Sequence, residues 1–227
     1  MTNKKFKLCY YIVLAILIIL FYTKDIDLSK EDFYKNIEQI TEPNILLVLV
    51  NKNFKLPENY IPDDLEKIDV KYSNEDKYLR KEAKDAFEQL SKDAKNEGHQ
   101  IVAVSAYRPY SYQLKLYDEY VATMGFDYAE KCSARPGHSE HQTGLAVDVM
   151  GSNLDYNEFE NSKEFNWMLN NAHKYGFILR YPKNKTNITG FKYEPWHYRY
   201  VGKTVAKIIY EEDITLEEYY DKYIYVN

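Results

Sequence analysis

The chain has 227 residues and a formal net charge of −5, with 30 Lys and Arg against 35 Asp and Glu, a size that suggests one or at most two domains. Its 45% hydrophobic and 29% charged residues, with 8 Gly and 7 Pro, argue against collagen, bulk disorder and a multi-span membrane protein. General nucleic-acid binding normally requires clustered Lys and Arg, so the acidic balance also predicts no nucleic-acid partner.

An almost unbroken apolar run occupies residues 8–22 and follows Lys4, Lys5 and Lys7. This pattern is typical of an export signal. The run is shorter than the roughly 20 residues of a usual membrane-spanning helix, so it fits either a cleaved signal peptide or a short signal anchor. No A-x-A-like cleavage site follows it, which favours a retained anchor. We therefore predict a single-pass protein of the cell membrane with the lysines in the cytoplasm and the rest extracellular. Secretion after signal cleavage is the alternative.

The sequence divides into three parts. Residues 1–27 are predicted to be a cytoplasmic tip and signal anchor, residues 28–43 a stalk, and residues 44–227 a globular domain. The pattern over 28–40 fits either a short amphipathic helix or a stalk. Of the two cysteines only Cys132 lies beyond the apolar run, so the exported domain cannot form an internal disulfide.

The elements of the globular domain begin with an aliphatic run over 45–50, which predicts a strand, and a proline-containing irregular stretch over 51–64. A helix is predicted from about Ser73, an N-cap residue, to Gly98. The other predicted elements are strands over 101–105, 145–149 and 177–181 and helices over 110–121, 165–175, 203–212 and 216–223. Strands and helices are interspersed without regular alternation, which predicts an α+β domain with a small antiparallel sheet flanked by helices.

One segment of the domain combines a histidine, a glycine and an aspartate around a predicted strand. The strand 145–149 alternates, so it buries three aliphatic side chains on one face and turns Asp148 to the other. His141 lies in the loop just before this strand. Gly144 lets the backbone turn sharply enough for the imidazole to return toward Asp148.

A second segment carries Glu194 and His197 three residues apart around Pro195, an irregular turn because a residue before proline avoids the helix. Together, His141, Asp148 and His197 form a three-ligand set suited to one zinc ion with a fourth position for water, and Glu194 is then a general base. Any one of these residues alone is more often structural. No H-E-x-x-H motif is present, which excludes the helical zincin arrangement.

These two segments and a third one resemble a known family. Residues 139–148 spell S-x-H-x-x-G-x-A-x-D, residues 194–197 spell E-x-W-H, and residues 105–113, SAYRPYSYQ, are similar to an upstream motif of the same proteins. The pattern resembles VanY-type D-alanyl-D-alanine carboxypeptidases, within the wider group of zinc peptidases that includes VanX dipeptidases, lysostaphin-type endopeptidases and the hedgehog signalling domain. The resemblance extends from about residue 45 to residue 220.

The resemblance implies a hedgehog/D,D-peptidase-like fold over 44–227 and a role for each residue that matches a motif. The implied zinc ligands are His141, Asp148 and His197. The implied catalytic groups are Glu194, as general base, and Arg108, which polarises the scissile carbonyl. Gln113 and Ser139 match positions that line the substrate pocket, although Ser139 could equally cap the loop backbone.

The function implied by the resemblance is a zinc carboxypeptidase that removes the C-terminal D-Ala from peptidoglycan stem peptides outside the cell. An L,D-carboxypeptidase acting on tetrapeptide stems is an alternative, since it uses the same metal machinery. A non-catalytic zinc-bearing cell-wall binding module is a second alternative, disfavoured because it would often lack Glu194 or Arg108. An endopeptidase that cuts cross-bridges fits the pattern less well.

Overall fold

The computed structural model describes residues 33–151 and 155–225. The predicted cytoplasmic tip and signal anchor lie outside these residues. Within the described part of the chain, no helix has the length and apolar character needed to cross a membrane.

The described residues contain eight short strands and seven α-helices, with several 3-10 turns between them. The strands are β1 Glu38–Gln39, β2 Phe54–Lys55, β3 Leu65–Lys67, β4 Tyr78–Arg80, β5 Val102–Ser105, β6 Ala146–Met150, β7 Phe177–Leu179 and β8 His197–Tyr200. The helices are α1 Lys81–Asn96, α2 Tyr110–Met124, α3 Phe126–Cys132, α4 Lys163–Asn171, α5 Thr186–Thr189, α6 Lys203–Glu212 and α7 Leu216–Tyr219.

The central sheet has four antiparallel strands in the order β5-β6-β8-β7. Two further two-stranded sheets pair β1 with β2 and β3 with β4. The predicted α+β organisation with a small antiparallel sheet is thus confirmed. Of the central strands, β6 and β8 lie in the middle and carry the two motifs singled out in the sequence.

The predicted strand over 45–50 is wrong. This stretch is irregular, although Val48 and Val50 are buried in the main core. Two of its backbone carbonyls accept from a side chain and not from a neighbouring strand. The Arg199 guanidinium donates to the carbonyls of Leu46 and Val48 at 3.0 and 2.8 Å. These two backbone carbonyls are therefore satisfied without the segment joining a sheet.

Of the two alternatives for 28–40, the helix is wrong in its described part. Residues 33–36 form a turn and bend followed by β1, and Tyr34 adopts a left-handed φ of 63° that a right-handed helix does not accommodate. The Glu38 amide donates to the Asn53 carbonyl at 2.8 Å, so the backbone pairs with a distant segment.

The first long helix starts later than predicted, at Lys81 rather than near Ser73, because Tyr78–Arg80 pair with Leu65–Lys67 as β4 and β3. Its apolar stripe is buried as expected. Phe87 and Leu90 of α1 belong to the same apolar cluster as Val147 and Val149 of β6, and full burial of such a side chain stabilises the fold by about 1.5–3 kcal/mol. This packing leaves the opposite face of β6 for the site.

Gly176, which ends the 3-10 turn before β7, is a sensitive position in the fold. Its φ is +90°, and a Cβ there would lie 2.6 Å from a Tyr200 ring carbon and 3.1 Å from the backbone of Gly202. We expect Gly176→Ala to lower the free energy of unfolding by about 1–2 kcal/mol for the left-handed backbone plus about 1–3 kcal/mol for the overlap, as measured by urea denaturation.

Gly98→Ala is the matched control for that substitution. Gly98 has a similar φ of +85°, but an added Cβ meets no atom within 4 Å. Only the backbone contribution should therefore be lost. Equal destabilisation by the two variants would contradict the packing of Gly176 against Tyr200.

Candidate metal centre

His141 lies in the buried 3-10 turn Glu140–Thr143, which ends at Gly144 in the left-handed conformation with φ 66°. A Cβ at Gly144 would approach Leu65 Cδ2 to 2.8 Å, so both the backbone and the space favour glycine. The His141 Nδ1 lies 2.7 Å from the Ala106 carbonyl. Since a carbonyl only accepts, Nδ1 carries the proton and Nε2 is left with a free lone pair. That nitrogen lies 3.4 Å from Asp148 Oδ1.

Asp148 and His197 are direct cross-strand partners in the register of β6 and β8. Facing residues of an antiparallel pair have Cβ atoms about 4.5–5.5 Å apart, so the sheet itself brings these side chains together. The His197 Nδ1 lies 3.0 Å from Asp148 Oδ1, and the opposite ring nitrogen, Nε2, lies 3.4 Å from Glu140 Oε2.

The three predicted ligands converge. Donor atoms of His141, Asp148 and His197 all lie within 4.8 Å of one another, and the three residues are buried. Two imidazole nitrogens and a carboxylate form the kind of donor set that catalytic zinc sites use, with a position left open for water or substrate. The residues present therefore fit a zinc ion.

Burial and neighbouring charges shift the protonation of all three side chains. Burial together with the Arg108 charge lowers the pKa of His141 to about 4. Burial alone would raise the pKa of Asp148, but the two imidazoles outweigh it and hold that pKa well below the usual range. Burial likewise opposes charge on His197, yet its bonds to Asp148 and Glu140 raise its pKa to about 9. At neutral pH and without a metal, the site thus holds an ionised Asp148, a neutral His141 and a protonated His197.

Glu194 lies beside the three donors, in the irregular turn that precedes β8. Its Oε2 is 3.9 Å from His197 Nδ1, and its side chain is only 12% exposed. The backbone fixes this position, since the Glu194 amide donates to the Tyr181 carbonyl at 3.1 Å. Burial raises the pKa of Glu194 to about 7, and a general base is most effective when its pKa lies near the working pH.

Arg108 borders the same cleft as the three donors and Glu194. Its backbone amide donates to the His141 carbonyl at 3.2 Å, which ties the two segments together. Its guanidinium Nε is buried and has no hydrogen-bond partner among the described residues. A cationic group at the cleft with an N–H free to donate can stabilise a developing oxyanion.

Gln113 and Ser139, the two predicted pocket residues, also line this cleft. Gln113 is buried, and its amide nitrogen donates to the Ala134 carbonyl at 2.8 Å and to Ser133 Oγ at 3.3 Å. Its Oε1 has no partner among the described residues. Ser139 makes no side-chain capping bond to the turn that follows it, so the capping alternative for Ser139 is wrong.

The family is decided by comparison with known proteins. Residues 76–203 match the model of the VanY family, described as D-alanyl-D-alanine carboxypeptidase, and this match spans more than half of the chain. The chain belongs to the VanY family. Its members and relatives are named as carboxypeptidases, so the protein is an enzyme of that class.

Three similar proteins illustrate the range of the VanY relatives. The putative carboxypeptidase YodJ of Bacillus subtilis (strain 168) is 47% identical over 203 residues, which cover 86% of this chain and 73% of YodJ. A structure of the LdcB LD-carboxypeptidase is 47% identical with a TM-score of 0.78 and covers 83% of this chain and 91% of its own. A structure of the vancomycin resistance D,D-pentapeptidase VanY in complex with Zn(II) is 35% identical with a TM-score of 0.66, covering 77% of this chain and 98% of its own.

The cleft of this VanY-family enzyme has a volume of about 820 Å³. Aromatic side chains form much of its wall, and Tyr156 contacts Trp196 edge-on with ring centroids 5.1 Å apart. The further aromatic residues at the cleft are Tyr107, Tyr112, Tyr120, Tyr128, Tyr181 and Phe191. The cleft is thus large enough for a peptide terminus and offers flat surfaces beside the three donors.

A cluster of buried charges, not predicted from the sequence, lies behind the three donors. Glu140 Oε1 accepts from Arg180 Nε and from Arg199 Nη1, both at 2.8 Å, and all three residues are at most 1% exposed. Burial opposes ionisation of Glu140, but the two arginines outweigh it and hold its pKa far below the usual range. One signal was available, because Arg199 follows His197 by two residues and so shares its strand face.

Proposed function

We propose that this VanY-family enzyme is a zinc-dependent carboxypeptidase that removes the C-terminal D-alanine from peptidoglycan stem peptides. The observation that carries the proposal is the convergence of His141, Asp148 and His197 donor atoms within 4.8 Å. Glu194 lies beside them, 3.9 Å from His197. The zinc complex of the similar VanY protein supports the choice of metal.

The chain's own groups divide the chemistry between them. Zinc, when held by the three donors, supplies a Lewis acid that polarises carbonyls and lowers the pKa of water. Glu194 accepts a proton from the attacking water and passes it to the leaving amine, which its pKa near 7 permits in both directions. Arg108 donates to the carbonyl oxygen as negative charge develops there, and one such donor is worth on the order of 10²–10³ in rate.

A catalytic role fits the site better than a binding module does. A module that only binds the cell wall has no need of a base or of an unpaired arginine. Here Glu194 and Arg108 border the same cleft as the donor set, and Arg108 Nε has no partner among the described residues. The site contains each group that hydrolysis requires.

The substrate follows from the relatives. D-Ala-D-Ala, the end of a pentapeptide stem, is the substrate implied by the family description. The tetrapeptide, which ends in an L-residue followed by D-Ala, is a second candidate. It is favoured by the LdcB LD-carboxypeptidase, whose 47% identity exceeds the 35% of the D,D-pentapeptidase.

We expect the purified, zinc-loaded chain to release free D-Ala from a stem peptide, and dialysis against a zinc chelator to abolish the release until zinc is restored. Parallel assays with pentapeptide and tetrapeptide stems decide between the two substrates, with D-Ala measured by an amino-acid oxidase assay. Release from neither peptide by folded, zinc-loaded protein would contradict the proposed function. Full activity after complete zinc removal would contradict its metal dependence.

The location of the enzyme forms part of the proposal. We infer that residues 1–27 anchor the chain in the cell membrane and that the carboxypeptidase domain faces outward, where stem peptides occur. The lysines before the apolar run support this orientation. Secretion after cleavage remains the alternative.

A further inference from the structure

We propose that Glu140 is a positioning residue that holds the Nε2–H of His197 and so presents Nδ1 to the metal site. This proposal rests on the proposed zinc-dependent function. It concerns a residue that does not belong to the donor set and lies on the far side of the His197 ring.

The two nitrogens of His197 face different carboxylates. Nδ1 lies 3.0 Å from Asp148 Oδ1, inside the donor set. Nε2 lies 3.4 Å from Glu140 Oε2, outside it. An imidazole that binds a metal through one nitrogen usually donates its other N–H to a carboxylate or carbonyl, which fixes the tautomer and the orientation of the ring. Glu140 has the position and the chemistry of that acceptor.

The Glu140 carboxylate is itself held in place. Its Oε1 accepts from Arg180 Nε and Arg199 Nη1, both at 2.8 Å. Arg180 is fixed in turn by two bonds to Glu217, at 2.8 and 2.6 Å. Arg199 is fixed by the carbonyls of Leu46 and Val48. Because Oε1 already accepts two hydrogen bonds, Oε2 is the oxygen that remains to accept from His197.

The same pattern recurs at the other histidine ligand with a different acceptor. His141 places Nδ1 against the Ala106 carbonyl at 2.7 Å and keeps Nε2 for the donor set. The two imidazoles therefore present opposite nitrogens to the site. Each choice is set by an acceptor on the outer side of the ring.

Glu140→Gln tests the role of the carboxylate because the side chain keeps its shape. The two arginine N–H groups need an acceptor, so the glutamine oxygen should stay with Arg180 and Arg199. Its NH₂ group then faces His197 Nε2. A donor at that place requires Nε2 to accept, which moves the proton of a neutral ring to Nδ1, the nitrogen that faces the donor set.

We expect Glu140→Gln in the full-length chain to weaken zinc binding by about 10–100-fold, as measured by competition with a chromogenic chelator. Glu217→Gln is the matched control. It removes a carboxylate from the same buried chain of charges, since Glu217 bonds to Arg180, and it lowers stability without a contact to His197. Its zinc affinity should fall far less than that of Glu140→Gln, because Glu140 keeps its carboxylate, its bond from Arg199 and its contact with His197.

The second measurement reads the tautomer directly and does not depend on a variant that folds. Long-range ¹H–¹⁵N spectra of the zinc-loaded, unmodified chain should show His197 protonated at Nε2 and bound to metal at Nδ1. Metal bound at Nε2 would overturn the proposal, as would a Glu140→Gln protein that folds and binds zinc as tightly as the Glu217→Gln control. An unmodified chain that binds no zinc would instead overturn the proposed function, and this inference with it.

Discussion

Glu194→Gln should lower kcat for D-Ala release by about 10²–10⁴-fold while the protein still binds zinc, because this is the usual contribution of a positioned general acid or base. Glutamine keeps the size of the side chain but cannot accept the proton of water or return it to the amine. Glu194 does not belong to the donor set, and its Oε2 lies 3.9 Å from His197 Nδ1. Its replacement should therefore leave zinc binding intact. Steady-state kinetics and metal analysis on the same preparation measure both effects.

Glu211→Gln is the control for the change in charge, since Glu211 is exposed and pairs only loosely with Lys207, at 3.7 Å. Its kcat should match that of the unmodified enzyme. A Glu194→Gln enzyme with near-normal kcat would remove Glu194 from the mechanism. Loss of zinc together with activity would instead assign Glu194 to metal binding.

Asp148→Asn should abolish stable zinc binding and, with it, activity. Asp148 provides the anionic donor and contacts both imidazoles, at 3.0 Å from His197 and 3.4 Å from His141. Loss of an outer partner of a zinc ligand already costs about 10–100-fold in affinity, and we expect loss of a ligand itself to cost more. Chelator competition measures the affinity, and released D-Ala measures the activity.

Asp85→Asn is the corresponding control, because Asp85 forms an exposed pair with Lys81 one helical turn away, at 2.8 Å. Zinc affinity and activity should be unchanged in this variant. If Asp148→Asn retained one tightly bound zinc per chain, Asp148 would not be a ligand.

Local sequence patterns predicted the parts of the site that depend on strand geometry. The alternation over 145–149 correctly placed Asp148 on the face opposite the buried aliphatic residues, because side chains on a strand point to alternate faces. Gly144 makes the sharp turn that the sequence predicts, with a φ of 66°. The cross-strand pairing of Asp148 with His197 then follows from the register of the sheet, which no local pattern contains.

The errors share a cause, since each concerns a backbone whose partner is distant in sequence. The run over 45–50 is aliphatic and its second half is buried, as a strand would be, but the carbonyls of Leu46 and Val48 accept from the Arg199 guanidinium. The first long helix begins at Lys81 because β4 pairs with β3 before it. Local propensity does not register such tertiary contacts.

Glu140 was missed for the same reason. It lies between Ser139 and His141, inside the most informative motif of the sequence, yet its partners Arg180 and Arg199 follow 40 and 59 residues later. A charged residue is rarely fully buried unless it is paired. Its importance therefore becomes visible only when the fold brings the arginines to it.

The most direct test of the account is anomalous diffraction at the zinc edge from crystals of the zinc-loaded protein. We expect a single strong peak about 2.0–2.2 Å from His141 Nε2, His197 Nδ1 and one oxygen of Asp148. A peak elsewhere, or zinc held by other residues in an enzyme that remains active, would contradict it.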